Sequence, residues 1–330
     1  MASTKATRSG EFALIERYFR PLATAPGALG LADDAAFYRA SPGEDLVLTV
    51  DTVAAGVHFS PDDPPASIGK KALRVNLSDL AAKGAKPVAY LLSLALPDNW
   101  TEKWVRDFAK GLADDQQAFG VALIGGDTTR APGGLTISIT GIGCVPSGEM
   151  VLRSGAQSGD FVFVSGTIGD AALGLEIQRG NIAAPTKAAG VLRDRYLHPQ
   201  PRLLLAPVLR RFASSAMDVS DGLVGDLEHI CGASGLGAQI ESGSIPLSMA
   251  ARSIVADKNE VFARLLTGGD DYEILATVAE SQVAEFLAAA RSTGIPVTRI
   301  GLMIEGKGPP IVLDADGKPL ELAALGHTHF

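Results

Sequence analysis

Residues 121–130 read VALIGGDTTR. Four apolar residues, two glycines and an acid in that order describe a buried strand that runs into a loop with a carboxylate at its mouth. Without side chains, Gly125 and Gly126 let backbone N–H groups approach a phosphate, while Asp127 offers oxygen to a metal ion. A plain tight strand-to-loop turn is the alternative at this one position.

The same arrangement of an acid at a break in an apolar run recurs along the chain. It appears at Asp34 in GLADD (30–34), Asp51 in LVLTVDT (46–52), Asp79 in NLSDLAAKGA (76–85), and Asp218 and Asp221 in SAMDVSDG (215–222). LVLTV reads as a buried strand ending at Asp51, and SAM as a strand end before Asp218. Any one of these acids can be a turn or helix N-cap, since a short side-chain oxygen satisfies neighbouring N–H groups. Asp79, inside a helical stretch, and Asp221, before Gly222, are the easiest to explain that way. Capping does not require six acids in apolar, glycine-flanked settings, and together they indicate a polyanion held through divalent cations.

Composition bounds the rest. At 330 residues, with 46% apolar and 20% charged, the chain has the make-up of an ordinary globular protein of two domains. A formal charge of −8 without a dense Lys/Arg cluster argues against nucleic-acid binding. Cys144 and Cys231 form no CxxC pair, so neither a disulfide framework nor a structural zinc site is expected. MASTKATRSG (1–10) lacks an apolar core and reads as a frayed tail, and the apolar run 88–96 is too short to span a bilayer. A soluble cytoplasmic protein is expected.

Outward from 121–130 the periodicity predicts an opening helix with Phe12, Ile15 and Phe19 on one face. A helix over 67–83, a strand in VAYLLSLALP, a helix over 101–119 and a strand in LTISITGIGCV follow. Gly/Ser-rich residues 146–159 read as a linker. Beyond it come a strand in FVFVSG, helices over 170–179 and 187–196, a helix from about Leu223, and alternating helices and strands to about Leu313. The fold class is therefore mixed α/β, with a disordered tail 1–10, an N-terminal domain 11–146 and a C-terminal α/β domain 147–330. GxxxxGK[ST] and GxSxG are absent, which excludes a P-loop and a nucleophile elbow. VSGTIGDAALG (164–174) is a glycine turn entering a helix, either an anion site or a structural turn. His58 and Arg153 have both a ligand-binding and a purely solvated reading.

Taken together, GEFALIERYF, GLADDAA, TVDTVAAGVHF, KALRVNLSDLAAKGAKP, LIGGDTTR, RSGAQSGD, MDVSDGLVGDLEHI and TGGDDYEI resemble the thiamine-monophosphate kinases, of the aminoimidazole ribonucleotide synthetase-like superfamily. The resemblance covers nearly the whole chain. It implies a ferredoxin-like N-terminal domain that binds metal and ATP and dimerises, a second α/β domain, and a site in the cleft between them. It also implies ATP- and Mg2+-dependent phosphorylation of thiamine monophosphate, the last step to thiamine diphosphate, by a cytoplasmic homodimer. On that basis Asp34, Thr49, Val50, Asp51, Asp79, Asp127, Asp218 and Asp221 correspond to magnesium contacts, with Asp127 and Asp218 the acids most tied to catalysis. Gly126, Asp127, Arg153 and Ser220 correspond to ATP contacts, and His58, Asp270 and Ala324 to thiamine-phosphate contacts. Asp270 stands where a Glu is expected, and Ala324 where an aromatic is. Another ATP-dependent enzyme of the superfamily, or an inactive nucleotide or metal sensor, is the alternative. The selenophosphate and carbamoyl-handling branches call for a cysteine in the first 34 residues or at the C-terminus, and neither is present.

Overall fold

A computed structural model of the chain describes residues 10–255, 259–322 and 326. The chain divides into two compact units, Met1–Asn76 with Pro87–Cys144, and Leu77–Lys86 with Val145–Phe330.

In the first unit α1 (Glu11–Leu14) passes into a π-helical turn over Ile15–Phe19 and a 3-10 turn over Arg20–Leu22. The expected single amphipathic helix is not formed. A π turn takes more residues per revolution than an α turn, so the spacing of Phe12, Ile15 and Phe19 no longer marks one face. Phe19 is buried and Phe12 is 84% exposed.

The strands β1 (Glu44–Ala54), β2 (Lys86–Leu96), β3 (Ala122–Arg130) and β4 (Thr136–Pro146) form one sheet in the order β1-β4-β2-β3, and α2 (Pro65–Ala82) and α3 (Glu102–Phe119) lie between them in sequence. LVLTVDT proves to be neither buried on both faces nor terminated at Asp51. β1 is an edge strand that continues to Ala54, burying Val47 and Val53 and exposing Leu46, Leu48 and Val50. Apolar residues on both faces of a strand look alike in sequence whether or not a second layer covers them. In α3 the Thr101 side chain accepts the Trp104 N–H at the N-terminus, and Val105, Phe108, Ala109 and Leu112 form the buried stripe. A Cβ at Gly111 would lie 2.1 Å from the Ala66 carbonyl oxygen, so α2 and α3 cross at a separation that excludes any larger residue.

The second unit takes in the end of α2 from Leu77. In chain order its elements are β5 (Phe161–Ser165), α4 (Asp170–Gln178), α5 (Thr186–Leu197), α6 (Ala206–Phe212), β6 (Ala213–Asp218), α7 (Leu223–Ser234) and β7 (Gly237–Glu241). They continue with α8 (Met249–Val255), α9 (Asn259–Thr267), β8 (Ile274–Val278), α10 (Val283–Ser292), β9 (Val297–Ile304) and β10 (Ile311–Leu313). The sheet order is β10-β7-β9-β5-β8-β6. Val162, Val164, Met217, Leu275 and Ile300 from its strands pack with Leu223, Leu227 and Ile230 of α7 in the main core. That packing fixes the end of β6 and the start of α7, the two places that flank Asp218 and Asp221. No described helix is long and apolar enough to cross a membrane.

Candidate active site

The first unit contains a recess of about 700 Å³. Its wall is apolar, from Phe19, Leu31, Leu92, Ile124 and Ile142, and its polar part comes from Asp33, Asp34, Gly126, Asp127 and Thr128. The sequence-predicted Asp34, Gly126 and Asp127 therefore open on one cavity, although 92 residues separate Asp34 and Gly126. Gly126 pairs with Leu92 in the parallel β2–β3 ladder, after a register shift at Tyr90/Leu91. A Cβ at position 126 would stand 1.9 Å from the Leu92 carbonyl oxygen. The glycine is demanded by the strand's own packing, and it leaves the backbone bare beside Asp127.

Thr49, Val50 and Asp51 are consecutive on β1. Val50 has a hydrocarbon side chain, so its carbonyl oxygen is the only atom it can offer a metal ion, and the Asp51 N–H donates to Asn76 Oδ1 at 3.1 Å. His58 lies in the turn after β1, where its Nδ1 accepts the Ala54 N–H at 3.1 Å and its carbonyl accepts Lys71 Nζ at 2.8 Å.

The remaining acids belong to the second unit. Asp218 ends β6 as a buried carboxylate, and Ser78 Oγ donates to its Oδ2 at 2.6 Å. The turn of α2 that carries Asp79 is thereby tied to β6. Beside them Lys83 Nζ donates to the Ala216 carbonyl at 2.7 Å. Burial pushes the Lys83 ammonium down to about 8, helped by the Arg153 charge and opposed by Asp218 and Asp79.

Two loops of this unit are laced together by their backbones. Val219 N–H donates to the Glu273 carbonyl at 2.8 Å, Tyr272 N–H to that of Val219 at 2.7 Å, and Asp270 N–H to that of Ser220 at 2.8 Å. Asp270 and Tyr272 both hold positive φ, 72° and 50°. Such conformations cost on the order of 1–3 kcal/mol each in a residue other than glycine, and the interloop hydrogen bonds hold them there. Asp226, one turn into α7, accepts the N–H groups of Ser220, Asp221 and Gly222 on one oxygen at 3.0, 3.1 and 3.2 Å. Its other oxygen is buried without a hydrogen-bond partner, and burial pushes this carboxyl up to about 7. Ser220 and Asp221 are therefore presented by a loop gripped from behind.

The glycine turn before α4 has a partner of its own. Asp271 Oδ2 accepts the Gly169 N–H at 2.7 Å, and Oδ1 the Ala171 N–H at 3.4 Å. Of its two readings, anion site or structural turn, the structure favours the second, since the N–H groups of the turn are taken by the protein's own Asp271 side chain. Glu273, fully buried, pairs with Arg195 at 2.7 Å and with Arg202, and accepts Ser165 Oγ at 2.6 Å. These contacts anchor the base of the loop that presents Asp270.

The six aspartates divide three to each unit: Asp34, Asp51 and Asp127 in the first, Asp79, Asp218 and Asp221 in the second. Among the described residues no group of three or more His, Cys, Asp or Glu side chains is close enough to hold a metal ion. Ala324 lies outside the described residues. Sequence reasoning passed over Ser78, Lys83, Asp226, Asp271 and Glu273, each of which lies inside a quoted motif. The available signal was a polar residue on the buried side of an apolar run, as with Asp226 in GLVGDLEHI.

Residues 32–145 match the family model for the N-terminal domain of AIR synthase related proteins, and residues 157–314 match the model for the C-terminal domain. The chain is 42% identical to the thiamine-monophosphate kinase of Caulobacter vibrioides, over 99% of this chain and 93% of that one. It superposes on the crystal structure of thiamine-monophosphate kinase from Stenotrophomonas maltophilia K279a with a TM-score of 0.83 and 42% identity, over 94% of this chain and 98% of that one. A solved structure of AaThiL complexed with AMPPCP and TMP matches with a TM-score of 0.76 and 31% identity, over 98% of this chain and all of that one. With its acids, glycines and loops at the positions described, the chain belongs to the thiamine-monophosphate kinase family of AIR synthase related proteins.

Proposed function

We propose that this protein transfers the γ-phosphoryl group of ATP to the phosphate of thiamine monophosphate, yielding thiamine diphosphate and ADP. The observation that carries the reading is the full-length kinship with thiamine-monophosphate kinases, in a chain that keeps Asp34, Gly126 and Asp127 on one recess. The acceptor phosphate has a second pKa of about 6, so it is largely dianionic at neutral pH and needs no general base. Its oxygen attacks the γ-phosphorus, the bond from that phosphorus to the β,γ-bridging oxygen breaks in line, and ADP departs. The obstacle is repulsion between two polyanions, so the protein's task is positioning and charge neutralisation.

The candidate metal-binding groups are carboxylates, a threonine hydroxyl and a backbone carbonyl, all hard oxygen donors of the kind magnesium takes. Magnesium keeps several waters and binds one or two carboxylates plus substrate phosphates, so it does not require a preformed cage of acids. Asp34, Thr49, Val50, Asp51, Asp79, Asp127, Asp218 and Asp221 would hold it. Bound magnesium would supply neutralisation of phosphate charge. Gly126, Asp127, Arg153 and Ser220 would bind ATP, Arg153 as a cation toward phosphate, and His58 and Asp270 would bind the thiamine phosphate, with position 324 beside the thiamine. Asp127 and Asp218 are the acids on which turnover depends most. The loop lacing between Ser220 and Asp270 supports one rigid presentation of the ATP and acceptor contacts.

The reading extends to a cytoplasmic homodimer joined through the N-terminal sheets. The uncovered apolar row Leu46, Leu48 and Val50 on edge strand β1 supports that assembly. The decisive experiment is incubation with ATP, Mg2+ and thiamine monophosphate, followed by chromatography for thiamine diphosphate and ADP. Product with thiamine monophosphate and none with free thiamine is expected. ATP binding without product, or free thiamine as the better acceptor, overturns the assignment.

A further inference from the structure

Lys83 stands one residue beyond α2 and one turn after Asp79, whose carbonyl accepts the Lys83 N–H at 3.0 Å. The Lys83 carbonyl in turn accepts the Val151 N–H at 3.2 Å, two residues before Arg153. Its side chain reaches β6, where Nζ donates to the Ala216 carbonyl at 2.7 Å, two residues before Asp218. Ser78 Oγ already joins Asp218 to the same turn of α2. The ammonium is thereby held against the strand that ends in Asp218, and its own backbone lies on the turn of α2 that carries Asp79, all within the second unit. The partner of the ammonium's hydrogen bond is a neutral carbonyl, while the charges that favour it are Asp218 and Asp79 and the one that opposes it is Arg153.

A packing role alone does not account for the charge. Withdrawing an ammonium from water has a desolvation cost that a methionine of similar length would not have, and one carbonyl hydrogen bond only partly offsets it. What the ammonium adds is a fixed positive charge beside two acids.

We propose that Lys83 is the built-in counter-cation of the Asp79–Asp218 pair, offsetting the repulsion between the two carboxylates and weakening the binding of the divalent ion they take. This rests on the proposed reading of Asp79 and Asp218 as metal-binding acids. A divalent ion approaching the pair meets the ammonium as a like charge, so the site is tuned for exchange of the ion with turnover and not for retention. Lys83 acts through the acids and is a positioning residue.

The test is titration of the full-length protein with Mn2+, with free ion followed by electron paramagnetic resonance. The wild type is compared with Lys83→Gln, Lys83→Met and Lys83→Arg, each checked for folding by circular dichroism. Lys83→Gln keeps a donor for the Ala216 carbonyl and removes the charge. Removing one unit of charge at this range tightens Mn2+ binding on the order of tenfold, in both Lys83→Gln and Lys83→Met. Lys83→Arg keeps the charge and stays within about twofold of the wild type. Lys83→Met covers the case in which a buried amide disturbs the fold. If the wild type binds Mn2+ and the neutral variants bind it equally or more weakly, the counter-cation is disproved while the metal reading stands. If the wild type binds none, both fail together.

Discussion

Ser78 Oγ donates a 2.6 Å hydrogen bond to Asp218 Oδ2, and both side chains are buried although 140 positions separate them in the chain. The bond fixes the rotamer of a carboxylate whose oxygens are proposed to face metal and phosphate. A hydrogen bond to a charged group contributes about 1.5–3 kcal/mol, so Ser78→Ala should lower stability by that order in urea unfolding. It should also weaken Mn2+ binding, because Asp218 loses a fixed orientation. A variant with wild-type Mn2+ affinity would show that the serine serves packing only.

Asp127→Asn and Asp218→Asn should each lower kcat by at least about a hundredfold, since even residues behind a metal ligand matter by 10- to 100-fold. Asp98→Asn is the control. Asp98 lies in a turn and pairs with Arg130, with both side chains largely exposed, and such pairs contribute little. Steady-state kinetics giving equal, small losses for all three variants would remove Asp127 and Asp218 from the proposed machinery.

Asp271 should make stability fall with rising pH. Burial holds its carboxyl well above the ordinary carboxylate range, against the lowering effect of the Gly169 N–H. Between the unfolded value of about 3.9 and the raised folded value, the native state keeps a proton that the unfolded chain has released. The contribution of this group is therefore complete below pH ~4 and declines as pH rises through that window. Asp271→Asn keeps an acceptor for Gly169 and cannot titrate. Relative to the wild type it should gain stability from pH 4.5 to 7.5, and parallel urea midpoints at the two pH values would contradict this.

Leu48 is 64% exposed at the centre of the apolar row on β1. A charge there is incompatible with burial of that face in a dimer. Leu48→Glu should convert the protein from dimer to monomer in light scattering after size exclusion, with little change in circular dichroism. A wild-type monomer, or a dimer indifferent to the substitution, would move the interface elsewhere or abolish it.

Much of the fold is legible in the sequence because helices and central strands impose their own period. The α2 and α3 segments and the SAMD strand lie where apolar spacing predicts them, while β3 begins where expected but runs on through Asp127 to Arg130 in place of the expected loop. Two segments are not. The opening helix is interrupted by a π turn that apolar spacing does not encode, and β1 is an edge strand whose apolar residues read as a buried run. The acids of the site are legible as a class, since each interrupts an apolar run, although Asp51 and Asp79 prove to lie inside β1 and α2 and not at their ends. Their supports are less so, because Ser78 looks like an ordinary helix residue until its distant partner Asp218 is in place, and Asp226 until the preceding loop folds back onto it.

The sequence by itself determined that the chain is an α/β protein with oxygen-rich, glycine-flanked acids and no nucleophile motif, because composition and periodicity act locally. Tertiary structure decided how those acids are held: Asp34 and Asp127 on one recess, Asp218 fixed by Ser78, the Ser220 loop gripped by Asp226, and Lys83 bonded to the Ala216 carbonyl two residues before Asp218. Apart from the local grip of Asp226, these depend on desolvated contacts between residues far apart in the chain. Their energies arise only when folding removes water from both partners at once.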